Sequence, residues 1–206
     1  KWVTGFDVEL TKGQLRQEQS NPTNTGSAFL NEVLPQGTHY NYQVNAMSLG
    51  SYLTGDWFIN QYLSLIFDLR WDGIEYDYNN LIDSGNLRND GTACGFGGCR
   101  YFRPADSKEN FSNFSWSLTI PVQWSESWKS RFKLANSFRA PQTTEMFRLQ
   151  NNQQNANLEE QNAKSFEWSI FHSTSNVTSY WSMYFMKKSN GIVQDSQRQI
   201  INGART

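Results

Sequence analysis

No apolar run in the 206-residue chain approaches the roughly eighteen residues that a membrane-crossing helix needs. Mean hydropathy is -0.68. A helical membrane protein is thereby excluded. Charge of one sign is also lacking: 18 Lys and Arg stand against 19 Asp and Glu, for a net charge of -1. That balance gives no footprint for nucleic acid and no field for a strongly charged partner. Histidine is reduced to His39 and His172, and cysteine to Cys94 and Cys99. Serines are plentiful and Ser173 follows His172, but no nucleophile elbow and no paired metal-ligand spacing occurs. An enzyme would need a nucleophile, a base and an orienting group, and the sequence offers no such set. There is no internal repeat, heptad or low-complexity tract. No signal peptide opens the chain, which starts at Lys1 inside a strand-like pattern, so the expectation is that the true N-terminus lies upstream.

What is abundant is aromatic: Phe, Tyr and Trp make up 15%, with eight Trp. Low hydropathy with many aromatics suits a membrane-spanning β-barrel, because barrel strands hide half their residues in a polar lumen. A soluble all-β sandwich or lectin shares that composition. The two cysteines enclose GFGG within a Gly- and Asn-rich stretch. Four small or flexible residues let a tight loop close, so a Cys94–Cys99 disulfide is expected, with free surface thiols as the alternative. A disulfide implies the periplasm or the cell surface.

The segment Phe114 to Trp124, FSWSLTIPVQW, sets Phe114, Trp116, Leu118, Ile120, Val122 and Trp124 on one face and Ser115, Ser117, Thr119, Pro121 and Gln123 on the other. A period of two is that of a strand. Aromatic rings at both ends with aliphatics between them match a face that meets hydrocarbon. Ten steps tilted by about 45° rise roughly 23 Å, against an apolar band of about 25 Å.

Other segments alternate in the same way. Trp2, Phe6, Val8 and Leu10 oppose Asp7, Glu9 and Thr11. Val44 to Thr54 alternates weakly. Trp57, Ile59, Leu63, Leu65, Phe67, Leu69 and Trp71 oppose Asn60, Ser64, Asp68, Arg70 and Asp72. Phe132, Leu134 and Phe138 oppose Arg131, Lys133, Ser137 and Arg139, while Phe166, Trp168 and Ile170 oppose Ser165, Glu167 and Ser169. Tyr180 to Lys187 gives a seventh strand, and Gln199 to Thr206 begins an eighth.

The intervening segments alternate in length. Long ones run from Gly13 to Gln43, Gly73 to Phe111, Ala140 to Ala163 and Lys188 to Arg198. Short ones fall at Gly55-Asp56, Ser125 to Lys129 and Ser175-Asn176. Long unstructured loops are uncommon in compact domains. Outer-membrane barrels, however, carry short periplasmic turns at one rim and long extracellular loops at the other. The expected fold is an antiparallel transmembrane β-barrel with outer-membrane lipid around it.

Phe138 to Gln150 reads FRAPQTTEMFRLQ and Asn155 to Ile170 reads NANLEEQNAKSFEWSI. An FRAP segment leaving a strand, then a loop, then an N-x-N-L stretch leading into a strand with its own glutamate (Glu167) resembles the barrel of TonB-dependent outer-membrane receptors. Weaker echoes are GTHYNYQV at Gly37 to Val44, LRWDGIEYDYNN at Leu69 to Asn80, YFRPAD at Tyr101 to Asp106 and NGART at Asn202 to Thr206. The resemblance implies a barrel of about 22 strands closed by an N-terminal plug. Residues 1–206 then supply about eight of those strands, as an internal part of the barrel domain without plug, TonB-interacting segment or final aromatic strand. A free-standing eight-stranded barrel is the alternative.

The resemblance further implies active uptake of a scarce nutrient across the outer membrane of a Gram-negative bacterium, most often a ferric siderophore, with energy delivered by TonB through parts outside this chain. Haem, cobalamin or carbohydrate are alternative cargoes, and a passive porin, a surface adhesin or a small outer-membrane hydrolase are alternative barrels. Haem receptors of this kind carry a histidine between FRAP and the N-x-N-L box, and Gln142 to Gln154 contains none. Met146 is the sole soft ligand there, and a packing role suits it better. No cofactor is expected. For an anionic or aromatic ferric chelate, Arg, Tyr and Gln at the loop bases are the natural contacts. The candidates are Arg139, Gln142, Glu145, Arg148, Tyr101, Arg103, Tyr76 and Tyr78. Against a ligand role, Arg139 and Glu145 are open to being an ion pair, and Tyr76 and Tyr78 to being an interfacial girdle.

Overall fold

The computed structural model describes residues 1–151, 153, 158–192, 200–201 and 204–205. Seven long strands form one antiparallel sheet: β1 (Trp2–Gln19), β2 (Gly37–Asn60), β3 (Leu63–Asn80), β5 (Ser107–Gln123), β6 (Trp128–Arg139), β8 (Gln161–Ser173) and β9 (Thr178–Ser189). Each pairs with its neighbour in sequence, the up-and-down order of a barrel wall. Between them lie helices α1 (Ala28–Val33) and α2 (Thr143–Phe147) and the short strands β4 (Tyr101–Phe102) and β7 (Leu149–Gln150). Among the described residues the sheet does not close, and β1 and β9 are its edges.

The two faces obey the alternation. Register places Leu118 opposite Leu134, Leu134 opposite Phe166 and Phe166 opposite Phe185, a continuous apolar row across four strands. The next row joins Ile120, Phe132, Trp168 and Met183. Among the described residues no second protein layer covers this face: Phe6 is 80% exposed and Phe185 67%. An apolar surface so extensive is untenable in water and expected in lipid.

The opposite face carries a polar lattice. Arg70 donates to Asp7 Oδ2 (2.8 Å) on β1 and to Asp72 within its own strand. Gly50 makes the room for it, since a Cβ there would collide with the guanidinium. Asp68 accepts from Thr54 Oγ1 (3.0 Å) and Ser117 Oγ (2.7 Å), and Glu167 accepts from Arg131 (3.2 Å) and Ser169 (2.7 Å). Asp7, Asp68, Arg70, Asp72, Arg131 and Glu167 thus lie on the lumenal side, where they find partners.

Several boundaries differ from those read in the sequence. The first strand continues to Gln19 and the second begins at Gly37, which shrinks the expected Gly13 to Gln43 connection to residues 20–36. Beyond the membrane both faces of a strand meet polar surroundings, so alternation fades while backbone pairing persists. The short turn expected at Gly55-Asp56 lies instead at Gln61-Tyr62, and Trp57 and Ile59 close β2 rather than opening β3. In the sequence the even step from Ile59 to Leu63 keeps one parity, which masks the turn, whereas the register shifts between Phe58 and Asn60 and sets Leu63 opposite Asn60. The long connections are 81–106 and 140–160 rather than Gly73 to Phe111 and Ala140 to Ala163. The expected eighth strand over Gln199 to Thr206 falls largely outside the described residues. Strand β10 (Ile200–Ile201) pairs back onto β11 (Ala204–Arg205), and the remainder of that stretch lies outside the described residues.

Candidate functional site

Above the apolar belt, the inward parity of β2 and β3 carries Tyr40, Tyr42, Val44, Tyr76 and Tyr78. These form a buried cluster with Phe111, Tyr101, Met146 and Phe147. Tyr78 is 1% exposed and stacks on Phe147 at 4.2 Å, with planes 16° apart. Tyr42 packs 5.2 Å from Tyr78, and Tyr76 lies 6.1 Å from Phe111. Neither Tyr76 nor Tyr78 stands in a lipid-facing girdle.

The long loops fold inward onto this cluster and interlock. Strands β4 and β7 pair antiparallel, joining the loop after β3 to the loop after β6. The Arg100 amide donates to Val33 O at the end of α1 (2.8 Å), and the Asn151 amide donates to Arg100 O (3.0 Å). Cys94 and Cys99 are disulfide-bonded, S–S 2.00 Å, which pins the hairpin tip of residues 94–99. Glu32 of α1 clamps that tip by accepting from the Gly95 amide (2.7 Å) and from Arg88.

A β-bulge orients the next layer. Gln17 pairs with Tyr40 but Glu18 with Thr38, leaving His39 as the extra residue of β2. Bulges re-aim side chains. Here both His39 and Tyr40 meet Tyr101, at 4.5 Å and 6.0 Å. His39 Nε2 donates to Pro35 O (2.7 Å) and Tyr40 OH donates to Leu149 O (2.6 Å). Burial raises the Tyr101 phenol above its ordinary range against the opposing charges of Arg103 and Arg88. It therefore remains a donor, to Leu87 O at 3.1 Å.

The motif residues around FRAP become a clip. Arg139 Nη2 donates to Glu145 Oε1 (2.9 Å), Arg139 Nε donates to Gln161 Oε1 (3.1 Å), and Glu145 Oε2 accepts the Gln142 amide (2.7 Å) at the start of α2. A carboxylate at the third helical position reaching back to the cap amide is a helix-start device. Partial burial pushes the Glu145 carboxyl up, but the Arg139 and Gln142 hydrogen bonds and the Arg139 charge outweigh it and leave it below its ordinary value. Glu145 is thus an anion already engaged by the strand it follows.

Between β1, β2, the β4–β7 pair and α2 lies a cleft of about 710 Å³, whose lining includes His39, Tyr40, Arg100, Tyr101, Glu145 and Arg148. Of the eight residues picked from the sequence, Tyr101, Glu145 and Arg148 line it. Arg148 is exposed, and so is Gln142, which stands outside the cleft. Arg139 lies behind Glu145. Arg103 is 1% exposed, donating to Leu87 O (2.6 Å) with its guanidinium over the Tyr101 ring, so it braces the loop from within. Tyr78 is likewise internal. Arg100, His39 and Tyr40 also line the cleft and are not among those eight. Arg100 adjoins the YFRPAD stretch, and His39 and Tyr40 lie inside GTHYNYQV, so the sequence marked the neighbourhoods without the side chains. His172 stacks on Trp128 at 4.2 Å on the lipid-facing parity, far in register from His39, so the two histidines do not meet. Among the described residues no group of three or more His, Cys, Asp and Glu is placed to hold a metal ion.

An antiparallel wall with an apolar outside, a charged inside and inward-folded loops is the wall of an outer-membrane β-barrel. The chain matches the family model "TonB dependent receptor-like, beta-barrel" over residues 2–205, and it belongs to that family. Comparison with individual curated proteins gives no match. Family membership places the chain in the outer membrane of a Gram-negative bacterium, in a multi-pass barrel that transports a small molecule with TonB rather than catalysing a reaction.

Proposed function

We propose that this chain contributes part of the outer vestibule of a receptor for a ferric siderophore, and that the cleft beside α2 is where the chelate is first held. The observation that carries this reading is the composition of the cleft wall. Arg100 and Arg148 supply cationic donors beside the rings of Tyr40, Tyr101 and His39. Guanidinium forks give charge-assisted hydrogen bonds to anionic oxygens, and flat aromatic surfaces match the rings of catechol-type chelators. Glu145 is spoken for by Arg139, so its charge is already compensated and does not repel an anion. Gln142, exposed at the helix start, is a secondary polar contact at the mouth. Arg139, Arg103, Tyr76, Tyr78 and the disulfide Cys94–Cys99 support this surface from behind.

The test is binding of a ferric tricatecholate to the membrane-embedded receptor, followed by quenching of its tryptophan fluorescence. A charge-assisted hydrogen bond contributes about 1.5–3 kcal/mol, so Arg148→Ala and Arg100→Ala should each weaken binding roughly 10- to 100-fold. Unaltered affinity in both variants refutes the cleft. Tight binding of haem, cobalamin or an oligosaccharide with no affinity for ferric chelates refutes the cargo.

A further inference from the structure

Arg100, one of the two cationic donors of the cleft wall, follows a hairpin tip that apolar packing does not hold. Residues 95–98 read Gly-Phe-Gly-Gly. Three of them in succession have positive φ: Phe96 at 56°, Gly97 at 90° and Gly98 at 111°. Glycine loses more freedom on ordering than any other residue, and a phenylalanine in the left-handed region is uncommon and unfavourable. Burial does not offset this, since Phe96 is 67% exposed and its ring partner Phe29, at 5.5 Å, is itself 48% exposed.

What holds the tip is covalent and polar. Cys94 and Cys99 close it, and Cys99 is fully buried. The Cys99 amide donates to Asn86 O (3.0 Å), and the side chains of Asn86 (3.4 Å) and Asn151 (3.1 Å) both donate to Gly97 O. Gly98 lets Asn86 approach, because a Cβ there would collide with the Asn86 amide. Asn151 therefore touches the tip twice: its side chain grips a carbonyl inside the disulfide ring, and its backbone amide holds Arg100 O just outside it. With the Arg100 amide donating to Val33 O, both backbone groups of Arg100 are fixed while its side chain is exposed to the cleft. Arg148, the other cationic donor, owes its place to different contacts. It follows Phe147, which stacks on Tyr78, and precedes Leu149, whose carbonyl accepts from Tyr40 OH.

We infer that Cys94, Cys99 and Asn151 are positioning residues for Arg100, and that the cleft gains its second guanidinium only where the disulfide has formed. This rests on the cleft being the site of the ferric chelate: a receptor assembled without oxidation inserts into the membrane but meets the anionic cargo with Arg148 alone. Cargo recognition is thereby completed by the oxidising compartment through which the chain passes.

The test compares the complete receptor with its Cys94→Ser/Cys99→Ser variant, both in bilayers. Removing a cross-link between residues five apart in sequence raises the opening equilibrium of the tip roughly thirty- to forty-fold. Hydrogen exchange should show the Arg100 and Asn151 amides losing protection by up to that factor, with Met146 in α2 unaltered. Reduction of the folded receptor by a water-soluble phosphine, which becomes the phosphine oxide as the disulfide becomes two thiols, should give the same pattern and serves if the serine variant does not fold. Binding of ferric tricatecholate is the second arm. The serine variant should bind at least about fivefold more weakly, and Arg100→Ala added to it should cost less than in the unaltered receptor by that same factor, whereas Arg148→Ala should cost as much in one background as in the other. Full additivity of the Arg100 and cysteine changes overturns the proposal, as does unaltered protection at Arg100 and Asn151. A receptor that binds no ferric tricatecholate in any of these forms refutes the cargo instead, and the exchange pattern then decides whether the disulfide sets Arg100.

Discussion

Phe147→Ala should release the loop that follows β6 from the wall while leaving the wall intact. Phe147 is 2% exposed, stacked on Tyr78 and edge-on to Tyr42 at 6.4 Å. Truncating a buried phenylalanine costs about 3–5 kcal/mol. The strands on either side are paired over their whole lengths without it, so the loss falls on the opening of the cap rather than on unfolding. An opening equilibrium shifted by that much rises between about one hundred and a few thousand-fold. Two amides report it: Met146, donating to Gln142 O (3.1 Å), and Asn151, donating to Arg100 O (3.0 Å). Hydrogen exchange followed by mass spectrometry, on receptor in bilayers, should show both losing protection by that factor, with exchange in β5 and β6 unaltered. The control is Phe185→Ala, which removes an equally large ring from the lipid-facing side and should leave the loop amides as they were. If Phe147→Ala left Met146 and Asn151 as protected as before in a folded barrel, the aromatic cluster would not be what holds the cap down.

Leu134 sits mid-strand on the lipid-facing row, so Leu134→Arg should cost about 2–4 kcal/mol in a folding titration into vesicles, and a cost near zero would deny that this face meets hydrocarbon. The Arg139–Glu145 clip gives a pH signature. Because the folded-state carboxyl lies below its ordinary range, the clip's contribution is complete above about pH 4.3 and is lost as pH falls through the depressed value. With Arg139 41% exposed, that contribution is about 1 kcal/mol or less. Protection factors of the Glu145 and Met146 amides, taken relative to intrinsic exchange at each pH, should therefore fall modestly on acidification, and Glu145→Gln should abolish that fall. A variant with the same acid response as the native protein would refute the assignment.

Strand identity and facing were legible because alternation is a property of each strand alone. Trp116, Leu118 and Ile120 face lipid for the same reason that Ser117 and Thr119 do not. The inward set of Asp68, Arg70 and Asp72 was equally plain. Strand ends were not, since pairing continues beyond the bilayer, where side-chain polarity no longer distinguishes the faces. The hairpin turn at Gln61-Tyr62 was hidden by its even parity, and the inward turn of His39 by a bulge that only the partner strand reveals. Arg148 and Tyr101, candidates chosen by chemistry alone, do line the cleft. That Arg103 and Tyr78 are internal, and that Arg100 lines the cleft, depends on three loops meeting.

By itself, then, the sequence determined a lipid-facing antiparallel wall, its rims and its family, because periodicity, composition and short motifs are local and survive without knowledge of any neighbour. Tertiary structure alone decided which loops fold inward, and which arginine ends in a cleft and which in a core. Those outcomes depend on register and on contacts between segments dozens of residues apart, where a shift of one residue would turn each side chain to the other face.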